Sequence, residues 1–186
     1  MDRNEYYAEF DRCLMSTKKE TMKLELPDEY NYDEETETFE EWKKTGNVEN
    51  IKAKFHGWLD QLDALKAKGV KMRRVHVVSL PLSDYLKYEI NYYKLYNGIY
   101  DNVSLIERAK FDSIPKPAGV SLDNDFFIMD DDVMFYTIYE KISKNKFGNL
   151  ITGEKIEDKV LIKRYIKFYN SVFAEATPLE DFLVKI

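Results

Sequence analysis

Cysteine is almost absent from this chain, and histidine nearly so. The 186 residues contain one Cys and two His, with seven Gly and five Pro. A lone Cys13 cannot form an intramolecular disulfide. With no leader segment legible at the N-terminus, that points to a reducing, cytoplasmic setting. His56 and His76 with one Cys are too few for a zinc site of the usual Cys/His kind. No run approaches roughly 18 apolar residues, so neither a membrane span nor a membrane partner is expected. No phosphate-binding glycine loop, dinucleotide glycine fingerprint, Ser-His-Asp or Cys-His arrangement can be read. No catalytic residue, metal or cofactor is therefore assigned. No repeat and no low-complexity linker interrupts the chain, so residues 1–186 read as one domain.

Aromatics and acids are plentiful instead. Apolar residues make up 44% and aromatics 15%, with 14 Tyr, enough for a packed core. The net charge of −6 weighs against nucleic acid, which needs a basic footprint. A protein partner is expected in its place.

Periodicity gives the elements. Tyr6, Phe10 and Leu14 predict a helix over Glu5–Ser16. Met22, Leu24 and Leu26 alternate with Thr21, Lys23 and Glu25, as in a half-buried strand. Pro27 to Glu41 holds eight acids and no Lys or Arg, and reads as a loop leading into a short helix near Glu37 to Lys44. A helix is predicted over Asn50–Lys68, a strand over Val70–Ser79 and a helix over Leu82–Asn97. Strands at Val103–Glu107, Asp125–Met129 and Val133–Tyr139 follow, the last two joined by an Asp130-Asp131-Asp132 turn. Lys144 to Thr152 reads as a loop or second turn, and Glu157–Ala176 as a helix stopped by Pro178. This order implies an α/β class with a central mixed β-sheet flanked by helices.

Two constellations carry candidate chemistry. On the strand, Arg74 and His76 share a face with Met72 and Val78. Arg74 is explained either by pairing with a carboxylate on the next helix, Glu89 being best placed, or by an anion or phosphate pocket built from Arg74, His76, Tyr85 and Glu89. On the helix, Tyr85, Tyr88, Tyr92 and Tyr96 recur at spacings of three, four and four. That stripe is a core edge or, with Glu34, Glu35 and Glu37 of the acidic segment, an interaction surface. The acids Asp123, Asp125 and Asp130–Asp132 suit a solvated turn better than a cation site. His76 is followed by Val77 and Val78, so the His-x-Lys pairing of phospholipase D-type phosphodiesterases is missing.

Several of these residues carry a family resemblance. Arg74-Val75-His76-Val77-Val78, Pro81-Leu82-Ser83-Asp84-Tyr85-Leu86 and Tyr88-Glu89 resemble domain-of-unknown-function family 6879. That family has an "Arg-Val-Arg-Val-Val" strand, a "Pro-x-Thr/Ser-Asp-Tyr" turn and an aromatic-Glu helix. Lys23-Leu24-Glu25 stands where it has "Arg-Leu-Glu", and Asp125-Phe126-Phe127-Ile128-Met129-Asp130 resembles its "Asp-Phe-Trp-Leu-Phe-Asp" strand. Val172, Ala174, Ala176-Thr177-Pro178 and Phe182 resemble its helix ending. His76, Phe127 and Gly98-Ile99-Tyr100-Asp101 depart from the family pattern. The resemblance implies a small cytosolic protein, often encoded beside helix-turn-helix regulators, with no known catalysis. The layout is also similar to a degenerate phospholipase D-type half.

The leading expectation is a non-enzymatic accessory or regulatory protein that binds a protein partner, a transcription regulator or a phage or host-defence component. Its rivals are a small-molecule, phosphate or nucleotide sensor on a degenerate phosphodiesterase-like domain, and an acidic inhibitor of a nucleic-acid-binding protein.

Overall fold

Asp2 starts the first helix, α1 (Arg3–Ser16). Its carboxylate accepts the Glu5 N–H at 2.9 Å, and Glu5 accepts the Asp2 N–H in return. Tyr6 and Leu14 are buried and Phe10 packs beside them, as the spacing predicts. The computed structural model describes residues 1–31, 33–47 and 56–186. Next come β1 (Glu20–Glu25), β2 (Glu29–Tyr30) and α2 (Asp33–Thr45). The acidic segment is thus less of a loop than expected. A helix N-terminus exposes unpaired N–H groups and favours acidic residues, so α2 starts at Asp33 rather than near Glu37.

Residues 50–55 of the helix predicted from Asn50 lie outside the described ones. The remainder forms α3 (His56–Ala67), ended by Gly69 at φ +75°. Strand β3 (Lys71–Val78) leads to α4 (Asp84–Lys94), which Ser83 caps by accepting the Leu86 N–H at 3.1 Å. Then follow β4 (Asn102–Glu107), α5 (Arg108–Asp112), β5 (Phe126–Met129), β6 (Val133–Lys141), β7 (Lys146–Ile156), α6 (Lys159–Glu175), β8 (Thr177–Pro178) and α7 (Leu179–Lys185).

The class is α/β. Among the described residues eight strands form one mixed sheet in the order β2-β7-β6-β5-β1-β3-β4-β8. Strands β1, β3 and β4 run parallel, and β1-β5-β6-β7 are antiparallel neighbours. Side chains alternate across the sheet. Met72 and Val78 join Tyr6, Leu14, Leu65 and the Tyr residues of α4 in one core. Val75 and Val77 join Met22, Leu24, Phe126 and the buried side of α6 in the other.

One sequence expectation fails here and another is extended. Lys144–Thr152 is not simply a loop, because β7 runs from Lys146 through Ile156. Its glycines hid it, yet Gly153 is where the Tyr6 ring lies against the strand, and a Cβ there would overlap that ring. Pro178 does more than stop α6. With Thr177 it adds an edge pairing to β4, where a missing N–H is tolerated.

Candidate functional site

The parallel pairing of β1 and β3 sets Lys23 opposite Arg74 and Glu25 opposite His76. These four side chains share the face of the sheet that α1 and α4 cover. Arg74 is 4% exposed. Its Nη1 donates to Glu25 Oε1 and Oε2 at 3.2 and 3.1 Å, and its Nε donates to Asp101 Oδ2 at 3.1 Å. The rings of Tyr93 and Tyr96 flank the guanidinium at 5.2 and 5.6 Å. Lys23 also pairs with Glu25 Oε1. Burial works to raise the Glu25 pKa, but Arg74 and Lys23 outweigh it and hold this carboxylate ionised, well below the usual range.

His76 is fully buried, and both ring nitrogens are engaged. Nε2 lies 2.7 Å from the Pro27 carbonyl, and Nδ1 lies 2.7 Å from Tyr93 Oη. A carbonyl only accepts, so Nε2 carries a proton. Burial lowers the His76 pKa, favouring the neutral ring with a lone pair on Nδ1. Tyr93 Oη also lies 2.9 Å from Glu25 Oε2, so its single proton faces two acceptors. Glu89 stands beside them, with Oε2 3.4 Å from His76 Nδ1 and no hydrogen-bond partner for that oxygen. Burial first, then the charges of Glu25 and Glu35, push its pKa well up. Glu89 is thus biased toward its protonated form.

Glu25, His76 and Glu89 each offer a ligand atom within 4.8 Å of the others. The donor set itself suits a divalent ion. Its centre, however, is where the Tyr93 hydroxyl meets His76 and Glu25. Lys23 and Arg74 already neutralise Glu25. A metal would have to displace the hydroxyl and compete with both cations, so the residues do not fit one well.

Beside the cluster, between the sheet and helices α1 and α4, is a cavity of about 290 Å³. Eleven aromatic side chains line it, from α1 (Tyr6, Tyr7, Phe10), β2 (Tyr30), α3 (Trp58), α4 (Tyr85, Tyr88, Tyr92) and the sheet (Phe126, Phe127, Tyr139). Five carboxyl groups, Asp11, Glu25, Glu35, Glu89 and Asp125, face two cations, Lys23 and Arg74. Asp125 is buried, accepts the Leu26 N–H at 2.8 Å and bonds the Tyr30 hydroxyl. Burial, with Glu25 nearby, pushes its pKa up to about 7.

Arg74, Tyr85 and Glu89 do converge on this cavity, whereas His76 lies behind it. Glu89 pairs with neither Arg74 nor Arg73. The parallel neighbour β1 brings Glu25 closer to Arg74 than the following helix brings Glu89, and Arg73 on the opposite face donates to Glu20 at 2.8 Å and Asn170 at 3.1 Å. The Tyr stripe is not on the surface. Tyr88, Tyr92 and Tyr96 are buried because α2 and the sheet enclose α4. The Tyr88 hydroxyl meets Thr38 Oγ1 at 2.8 Å, and the Tyr92 and Tyr96 rings pack at 4.9 Å. Glu35 turns inward to accept from Tyr85 Oη at 2.5 Å, while Glu37 is exposed; the Glu34 side chain lies outside the described residues.

Lys23, Glu25, Asp101, Asp125 and Tyr93 belong to the site but were not among its expected residues. Alternation along β1 reads as a solvent-facing polar side, whereas Glu25 is 2% exposed. The available signal was Lys23-Leu24-Glu25, standing at the family's "Arg-Leu-Glu".

A family model described as Domain of unknown function (DUF6879) matches residues 8–184. The chain belongs to this family. No curated protein matches it in sequence. Several solved structures are similar, three of which follow. NucT from Helicobacter pylori has a TM-score of 0.55 at 13% identity, covering 94% of this chain and 91% of its own. Nuc from Salmonella typhimurium, a phospholipase D family member, has a TM-score of 0.50 at 9% identity, covering 92% and 89%. The archaeal chromatin protein TrmBL2, described with a novel mode of DNA binding, has a TM-score of 0.45 at 13% identity, covering 95% and 51%. The chain therefore shares its fold with NucT and Nuc.

These likenesses correct the expected partners. A chain that shares its fold with NucT and Nuc is not separated from nucleic acid by its net charge. Net charge sums the whole surface, whereas a phosphate backbone meets only local cations. The exposed side of α6 carries Lys159, Lys163, Arg164 and Lys167. No feature of the described residues identifies a protein partner. Among them, no helix is long and apolar enough to cross a membrane.

Proposed function

We propose that this DUF6879 chain is a catalytically degenerate phospholipase D-type domain that binds a small molecule in the aromatic cavity above β1 and β3. The observation that carries this reading is the cavity itself: about 290 Å³, walled by rings and floored by carboxyl groups. That volume is at the small end of ligand pockets, and its mix of aromatic walls with a few convergent polar groups is typical of them. Loss of catalysis is supported by the sequence, in which neither His56 nor His76 is followed two residues later by Lys. It is supported again by His76, whose two nitrogens are held by Pro27 and Tyr93 away from the cavity. We read the chain as one cytoplasmic domain with a sensing role.

A thermal-shift screen of small metabolites, followed by titration of Trp58 fluorescence, tests the binding. Saturable binding that raises the melting temperature is expected, along with no release of nitrophenol from bis(4-nitrophenyl) phosphate above buffer. Turnover of that diester, or a screen without a single ligand, would overturn the reading.

A further inference from the structure

We propose that the occupant of this cavity is an organic cation, an alkyl- or arylammonium held between tyrosine rings and the carboxyl groups of Glu89 and Asp125. The inference rests on the small-molecule reading above and names the chemistry of its ligand.

The walls come first. Tyr30 sits 5.5 Å from Tyr139 and 5.9 Å from Tyr85, and Tyr85 sits 5.9 Å from Tyr88, ring centre to ring centre. This continuous phenol surface has electron-rich faces, which attract ammonium groups most strongly where water is excluded.

The charge balance comes second. Lys23 and Arg74 are committed to Glu25 and Asp101, so neither is left to meet an anion. Glu89 and Asp125 line the same cavity, and no Lys or Arg forms a salt bridge with either among the described residues. Glu89 is 8% exposed, and its Oε2 has no hydrogen-bond partner. A buried carboxylate is poorly compensated without a cation beside it, and an ammonium group in the cavity supplies that charge. A phosphate would bring further negative charge beside both carboxyls.

Binding a cation must also move protons. Glu89 faces Glu25 and Lys23 of β1, Glu35 of α2, His76 of β3 and Tyr93 of its own helix. Asp125 faces Glu25 and Lys23, Tyr30 of β2, Tyr6 of α1 and Arg108. Burial holds both carboxyls toward their protonated forms, so a cation binds best once a proton has left for the buffer.

The experiment is calorimetry on the full chain with matched probes: choline against dimethylbutanol of the same shape, and benzylammonium against benzyl alcohol. Each cation is expected to bind at least about tenfold tighter than its neutral partner. Its affinity should rise between about pH 5.5 and pH 8, and proton release should show as a dependence of the heat on buffer ionisation. Glu89→Gln and Asp125→Asn, which keep the size of each side chain, should each reduce that advantage. Neutral probes binding as well as the cations would overturn the inference and leave the pocket standing. Unchanged cation affinity in both variants would overturn it too. No binding by any of the four probes would also overturn it, and the wider metabolite screen then decides the small-molecule reading separately.

Discussion

Glu89 Oε2 stands 3.4 Å from His76 Nδ1, deep beneath α4, beside the Tyr93 hydroxyl that meets both His76 and Glu25. His76 donates through Nε2 to Pro27. Tyr93 has one proton for two acceptors, His76 Nδ1 and Glu25 Oε2. The raised pKa of Glu89 favours a proton there as well, and the Glu25 carboxylate is set against Lys23 and Arg74.

His76 should therefore be a neutral Nε2–H tautomer. Two-bond proton–nitrogen NMR spectra should show one protonated and one bare ring nitrogen at about pH 7, because burial depresses its pKa. An imidazolium signature at that pH contradicts the proton count.

Arg74 should be costly to remove. Arg74→Met leaves Glu25 and Asp101 buried without their shared cation. Breaking a buried pair in this way costs roughly 3–5 kcal/mol. Urea unfolding should show that loss, partly recovered by adding Glu25→Gln. A change below about 1 kcal/mol would mean the guanidinium is better solvated than its burial indicates.

Asp125 should make stability fall with rising pH. Its folded pKa of about 7 lies above that of an unfolded aspartate. Between the two, the folded chain binds more protons, so its contribution is complete below about pH 4 and lost as pH climbs through about 7. Three pKa units correspond to a ceiling on the order of 4 kcal/mol. Asp125→Asn should match the parent chain in acid and gain on it steadily toward neutrality. A stability difference that is the same at every pH counts against the shift.

Gly153 should resist even a methyl group. A Cβ there overlaps the Tyr6 ring, which lines the cavity and holds Thr137 Oγ1 at 2.7 Å. Gly153→Ala should cost about 1–3 kcal/mol as an overpacked contact. Adding Tyr6→Leu should return part of that loss. An alanine variant as stable as the parent would show that the ring can move aside freely.

Local features were the legible ones. The Tyr spacing marked α4, and the two faces of β3 followed from simple alternation. The cluster was harder to read because its contacts join distant residues. Arg74 meets Glu25 across a parallel pairing separated by 49 residues in sequence. Alternation along β1 says that Lys23 and Glu25 share a side, but it cannot say whether water or a buried arginine waits there. The tyrosines misled for a related reason. Their hydroxyls fit a surface equally well, and only the packing of α2 over α4 turns them inward.

The pairing of β1 with β3 has a consequence for how the chain finds a unique alignment. A slide of two residues along this pair would keep every apolar side chain on its own face, so hydrophobic patterning does not forbid it. It would, however, carry Glu25 away from its place opposite His76 and leave Arg74 beside the wrong neighbour. The buried charges act as a key for the strand pair, rejecting near-native alignments that the oily residues would accept.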